Sequence, residues 1–469
     1  MKDEKMRAAQ AMTAAALLAL LATGCSSGTD TGENKPGGWL GGGAAPAAPT
    51  KLSVPPAFDA SKGWDEVLSW VPQGLGSMPV TVVPRSQAVA FMQAAPNGYT
   101  ISMRSADGKL VWRSAPWAGL TPVAGVTGSR GPAEIPDLKG VEIEGRSYVV
   151  AYAHGLRGKD QLHDGAEIVR LAIFPANAKG ESVKPLREID VPVSADPGEI
   201  RVQATGGRLL VAWGQEGYFP DRSATVNVTS GEVAVHDSRR LLEQCRTPLC
   251  SSRVVAATAD GPLVAMARGG FGMPGRYFSE NLTPEGIDPK SGFLGDRNGS
   301  VYGAEAGHAL ISWRAGKVGD TPVWAIHDLR TGAPQARLVC GQEVAPSEDA
   351  TRDYPVVSSP GGQYLAAGSV IFDVKNKRGI CLHGDGNRKT IAVLSIQDNG
   401  TAYGVTQETS AGGTSVLAQV DLRTATGDAK PLEMGTEVPL AHTEDGTGVF
   451  LTRNEDKSLR LSVRRPARR

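Results

Sequence analysis

The feature that most constrains this chain is a hairpin signal that returns about every 51 residues, a spacing that belongs to repeat architectures. Each instance is a strand, a polar or Gly-containing turn, and a strongly apolar strand. The turns fall at Ser86, Gly145, Gly207, Gly261, Gly307, Gly362, Gly400 and Gly446. Three more segments superimpose on one another: VWAIHDLRTGAP around Asp328, VIFDVKNKRGIC around Asp373 and VLAQVDLRTATGDA around Asp421. Each ends an alternating strand on an aspartate whose side chain can accept from the backbone two residues on, which favours a turn.

Four strands of five or six residues plus their turns use about 50 residues. The reading is therefore all-β: a single β-propeller of about eight four-stranded blades, with seven as the alternative because the first and fourth units are the least regular. With 58 Gly and 31 Pro, composition agrees with many short strands and tight turns. Runs such as VVAYA and LLVAW place strands one and two between neighbouring blades. Strands three and four alternate more and belong nearer the rim. The last unit supplies only three strands, so Lys51-Leu52-Ser53-Val54 is expected to complete its sheet and close the ring, hiding an edge that would template aggregation.

Ahead of residue 51 the chain reads as address and spacer. A weakly basic start is followed by an Ala/Leu-rich run too short to span a bilayer and suited to a secretory signal. Leu21-Ala22-Thr23-Gly24-Cys25 resembles the lipobox of bacterial lipoproteins, although that family prefers Leu where Ala22 stands. The resemblance implies cleavage before Cys25, a diacylglycerol on its thiol, and a place on the outer face of a cell membrane. An ordinary signal peptide with a stray cysteine is the competing reading. The expected divisions are a signal at 1–24, a lipidated cysteine and disordered linker at 25–50, and the propeller at 51–469. The Ala/Gly-rich bias and this lipobox variant suit a high-GC Gram-positive, actinobacterial source.

Two further resemblances concern architecture alone. Ile101 to Trp112 (ISMRSADGKLVW) resembles the repeat of quinoprotein-type (PQQ-like) propellers, and SPGGQYLAAG resembles the WD-repeat type. The Lys-Leu-x-Trp element occurs convincingly once, so no cofactor-binding residue carries over and no cofactor is expected.

Four cysteines remain, Cys245, Cys250, Cys340 and Cys381; an even number in an exported chain suggests two disulfides with three possible connectivities. The short Cys245–Cys250 loop makes a local bridge the first choice, leaving Cys340 with Cys381. Metal binding is the weaker rival, since no histidine stands at ligand spacing. The 49 basic and 49 acidic side chains balance, so nothing points to nucleic acid.

No G-x-S-x-G, H-E-x-x-H, P-loop or C-x-x-C occurs, and the seven histidines are scattered. Asp385-Gly-Asn387 and Asp296-Arg-Asn298-Gly299 lack the later acidic ligand of a calcium loop and are read as turns. Arg464 to Arg469 is read as a solvated basic tail. Propeller connectivity puts the first–second and third–fourth turns on one face, and the second–third loops and crossovers on the other. The latter set carries insertions at His154–Gly165, Gly214–Arg222, Ser238–Ser252 and Arg268–Arg276. Arg157, Lys159, His163, Tyr218, Phe219, Asp221, Arg222 and Phe271 form the candidate binding face there, an aromatic-and-Arg mixture typical of binding hot spots. The expected function is a non-catalytic module docking a protein or cell-envelope polymer. The alternative is an enzyme, a quinone-dependent dehydrogenase or a glycan-acting hydrolase or lyase, with its site at the central channel.

Overall fold

A computed structural model describes residues 49–467, apart from 72–78, 122, 124–135, 194–199, 206–207, 215–221, 246–249, 291–296, 315–320, 342–355, 386 and 407–414. Its strands form eight antiparallel blades arranged as a β-propeller. The innermost strands run, in order, Val80–Val83, Asp137–Ile143, Arg201–Thr205, Ser252–Thr258, Ser300–Glu305, Val357–Ser358, Ile391–Ile396 and Ala441–His442. The eight hairpins read from the sequence each pair a first strand with a second, the turn residue Gly207 of the third lying outside the described residues, and the blade number is eight.

All three aspartates accept from the backbone of their own turn, Asp421 from the residue two on as expected and Asp328 and Asp373 from the residue three on. Asp328 Oδ1 accepts from Thr331 N at 2.8 Å, Asp373 Oδ1 from Asn376 N at 3.2 Å and Asp421 Oδ1 from Arg423 N at 3.0 Å. These turns join the third and fourth strands of blades five, six and seven. The burial pattern differs from expectation in one respect. The third strand Val370–Asp373 is fully buried, whereas several first strands, Asp137–Ile143 and Ser300–Glu305 among them, are only partly so, Ser252–Thr258 being buried throughout. First strands border the open channel, while second and third strands have a neighbouring blade on both sides.

Ring closure does mix the two chain ends, but the closing strand is Phe58–Leu68, paired antiparallel with Leu459–Pro466. Residues 51–54 form no strand. They run along the seam between blades seven and eight, where Leu52 and Val54 pack on a cluster of Phe58, Tyr403 and Phe450. Arg464, expected in a solvated tail, is fully buried and pairs with Asp65 at 2.7 Å. Asp65 also accepts from Thr50, from its N at 2.8 Å and its Oγ1 at 2.6 Å. Burial pushes the Asp65 carboxyl up, but the Arg464 and Thr50 hydrogen bonds outweigh it and hold the group below its usual range.

Blade one gains a fifth strand. Gly180–Val183, from the link between the third and fourth strands of blade two, lies parallel to Leu110–Ser114 and covers that outer edge. Both disulfides pair as expected, Cys245 with Cys250 and Cys340 with Cys381. The second joins the outer-strand ends of blades five and six.

Candidate functional site

A cavity of about 950 Å³ opens at the channel mouth, with wall residues from all eight blades. Its rim is built from first–second turns and the strand ends beside them. Two of these turns use consecutive residues at positive φ, Glu144 (53°) with Gly145 (74°) and Ala306 (49°) with Gly307 (78°). That is the backbone of the tightest hairpin connection, and it brings charged strand ends to the rim without a loop to cover them. Gly140 sets the approach of blade two to blade one. A Cβ there would lie 2.0 Å from the Val82 carbonyl oxygen, and its N–H donates to Thr81 Oγ1 at 2.8 Å.

The charged groups on the wall are mostly acidic and stand among apolar side chains and glycines. Arg85 pairs with Glu142 at 2.8 Å, while Glu144, Glu305 and Glu444 add three more carboxylates. Burial pushes the Glu305 carboxyl up, partly countered by the charge of Lys139 and a hydrogen bond from the Ala306 backbone. His308 also lines the wall, its Nδ1 2.8 Å from the Ala306 carbonyl and its Nε2 3.3 Å from Gln335 Oε1. Asp398 accepts from Gly361 N at 2.9 and 3.0 Å, tying the turns of blades six and seven together. Leu394 and Leu440 add aliphatic side chains to the lining and are 38% and 45% exposed.

The face expected from loop length lies at the other end of the strands. In blade two, Arg146 begins beside the cavity rim and Arg157 ends the same strand, roughly 36 Å away at the usual rise per residue. Arg157, Lys159 and His163 do share one exposed loop. Arg157 donates to Asp190 at 3.1 Å, and Arg170 holds that same carboxylate at 2.7 Å, which lowers its pKa. His163 Nδ1 sits 2.8 Å from Asp160, which also accepts from Leu162 N and shapes the turn. Arg222 opens the third strand of blade three, with Asp237 of its own blade 3.9 Å away. Tyr218, Phe219 and Asp221 lie outside the described residues, as does Cys25.

Phe271 is a correction. It is 1% exposed, packed edge-on against His327 and Trp313 at 5.3 and 6.0 Å, so it cannot present an aromatic surface. Arg268–Arg276 is no long insertion but a tight turn at Gly269 and Gly270, the strand Phe271–Met273, and a second turn. Nor are long connections confined to blades two to four, since the crossovers at 115–136, 279–299 and 340–356 are of similar length.

The wall carboxylates had a signal that loop length hid. An acidic residue stands one or two positions ahead of the turn glycine in Glu144-Gly145, Glu305-Ala306-Gly307 and Glu444-Asp445-Gly446. Among the described residues no group of three His, Cys, Asp or Glu side chains is placed to hold a metal ion, and no helix is long and apolar enough to cross a membrane. Asp385 caps its own turn, accepting from Asn387 N and Arg388 N at 3.2 Å.

The chain is thus an eight-bladed β-propeller with an open, acid-lined channel mouth. No protein-family model and no curated protein matches it. Solved structures similar to it include one of two prolyl endopeptidases studied for inter-domain dynamics in catalysis and specificity, at 12% identity and TM-score 0.35, covering 82% of this chain. This chain spans about half, 48%, of that enzyme's length. An uncharacterized protein from Listeria monocytogenes EGD-e aligns at 8% identity and TM-score 0.36, over 82% of this chain and 92% of its own. The β-propeller domain of the Trilobed protease from Pyrococcus furiosus, described as having an open velcro topology, aligns at 12% and 0.33, over 82% and 94%.

Proposed function

We propose that this chain is a lipid-anchored, extracytoplasmic docking module whose partner seats at the channel mouth. The observation that carries the reading is the cavity itself, concave, walled by every blade and open to solvent, with a few charged groups converging on it. Such a depression is the usual form of a recognition site. Three of the histidines, His154, His327 and His442, are held in structural contacts. His327 is buried, with its Nδ1 2.8 Å from the Gly332 carbonyl. His154 sits 3.0 Å from Glu167, and His442 packs in a triangle of rings with Phe58 and Tyr403. An enzyme reading would start from Glu305, the wall carboxyl that burial pushes up.

Anchoring on Cys25 would leave a flexible linker of about 25 residues, which places the propeller roughly 25–30 Å from the membrane on average. A Cys25→Ala variant is expected to leave the membrane fraction. The docking test is photo-crosslinking in native membranes, with the reactive side chain placed at Glu444 on the rim or at Lys159 on the other face. The expected result is one partner captured from Glu444 and lost when Leu440 becomes Asp. Capture from Lys159 alone would move the site to the loop face, and no capture from either would remove the docking reading.

A further inference from the structure

We propose that the partner presents to the channel mouth a basic and apolar polypeptide segment, an aliphatic side chain beside a lysine or arginine. This deepens the docking reading and rests on it.

Two independent features of the wall carry the inference. The first is a re-aimed leucine. The pairing of Ile391–Ile396 with the next strand shifts register between Val393 and Ser395, so Leu394 is the extra residue of a β-bulge. Every other residue of that strand is buried, and Leu394 alone is exposed. A bulge turns one side chain out of the ladder and is found beside functional sites. Leu440, just ahead of the inner strand of blade eight, joins it on the cavity wall, with Pro360 from blade six. Together they give blades six to eight an apolar side that water covers at a cost and a ligand methyl group would cover with gain.

The second feature is charge. The wall has four carboxylates, Glu142, Glu144, Glu305 and Glu444, against one arginine. Arg85 is committed to Glu142 at 2.8 Å. Lys139 acts on Glu305. Glu144 and Glu444 are exposed and have no ion-pair partner among the described residues. A cleft lined by one sign of charge raises the local concentration of the opposite sign and rejects its own. An anionic polymer is therefore disfavoured, and a neutral glycan would leave the carboxylates without an opposite charge. A ligand with both a cation and an apolar side chain answers both walls.

The test uses the purified mature chain and three short labelled peptides, read by fluorescence anisotropy. One alternates leucine with lysine, one leucine with glutamate, and one serine with lysine. The leucine–lysine peptide is expected to bind at least about tenfold more tightly than either other, with affinity falling as salt rises. Leu394→Ser and the pair Glu144→Gln with Glu444→Gln should each weaken it several-fold. Arg85→Gln, which frees Glu142, should strengthen it, a sign that loss of folding cannot imitate. Melting curves on each variant check that the fold is intact. Equal binding of the three peptides, or indifference to all of these substitutions, overturns the inference. If no peptide binds while the rim crosslink still captures its partner, the charge-and-leucine chemistry falls and the docking reading survives. If both are empty, both fall.

Discussion

At the scale of single residues, His442 shows how far the interior departs from water. It is 4% exposed, its ring lies parallel to Phe58 at 6.0 Å, and Gln397 Nε2 is 3.4 Å from its Nδ1. Its Nε2 has no hydrogen-bond partner among the described residues. Burial pushes its pKa down to about 3, and that of His327 down to about 4. Both folded values lie below the ordinary value near 6.5, so the unfolded chain takes up protons first as the pH falls. Stability is therefore full above pH 6.5 and is lost progressively toward pH 4 and 3. At pH 5 each histidine costs about 2 kcal/mol. His442→Phe, which keeps the stacking, is expected to leave stability near its original value at pH 7 and to exceed the parent by about 2 kcal/mol at pH 5. Urea midpoints at the two pH values measure this; parallel losses in parent and variant would show that His442 takes up its proton as readily in the folded state as in the unfolded chain.

At the scale of elements, the closing strand explains what the sequence did and did not disclose. The eight hairpins, the aspartate turns and the Cys245–Cys250 bridge depend on residues close in sequence, so period and turn chemistry reveal them. Phe58–Leu68 depends on a partner about 400 positions away, and its own pattern is mostly polar with Trp64 and Leu68 fully buried. Gly63 (φ +143°) gives no local sign that a Cβ would lie 1.8 Å from the Val463 carbonyl oxygen. The same remoteness hid Arg464, whose basic neighbours look like a tail, and Phe271, whose glycines look like a loop. The Asp65–Arg464 pair should dominate the strength of this closure. Asp65→Ala leaves a buried guanidinium without its counter-ion and should cost about 3–5 kcal/mol. Replacing both partners, Asp65→Leu with Arg464→Met, should recover much of that loss, because two apolar groups leave no buried charge. Denaturant midpoints decide it: equal damage in the single and double variants would mean that shape, not charge, holds the strand.

At the scale of the whole molecule, the core is a ring of eight seams, each with its own cluster of buried side chains between neighbouring blades. The seams are unequal. The one between blades two and three buries a cluster of sixteen apolar side chains among the described residues. Among the described residues the one between seven and eight buries three, Phe58, Tyr403 and Phe450, with Leu432, Val438 and, from the segment that arrives from the linker, Leu52, Val54 and Ala57 packed against them. With each large buried side chain contributing about 1.5–3 kcal/mol, this seam has the least apolar burial among the described residues, although the buried Ser395 hydroxyl crosses it to the Pro439 carbonyl at 2.7 Å. The seam between five and six is bridged covalently by Cys340–Cys381, 41 positions apart, which by chain entropy contributes about 4 kcal/mol. Opening should therefore begin at seven–eight, where the channel-mouth leucines Leu394 and Leu440 also reside. Hydrogen exchange is expected to be faster in Leu417–Asp421 than in Val323–Asp328. The pair Leu52→Ser with Val54→Ser should speed exchange in blades seven and eight while leaving blades two and three unchanged. Uniform acceleration around the ring would instead mean that the propeller opens only as one cooperative unit, with the linker-proximal segment stabilising the whole ring rather than one seam.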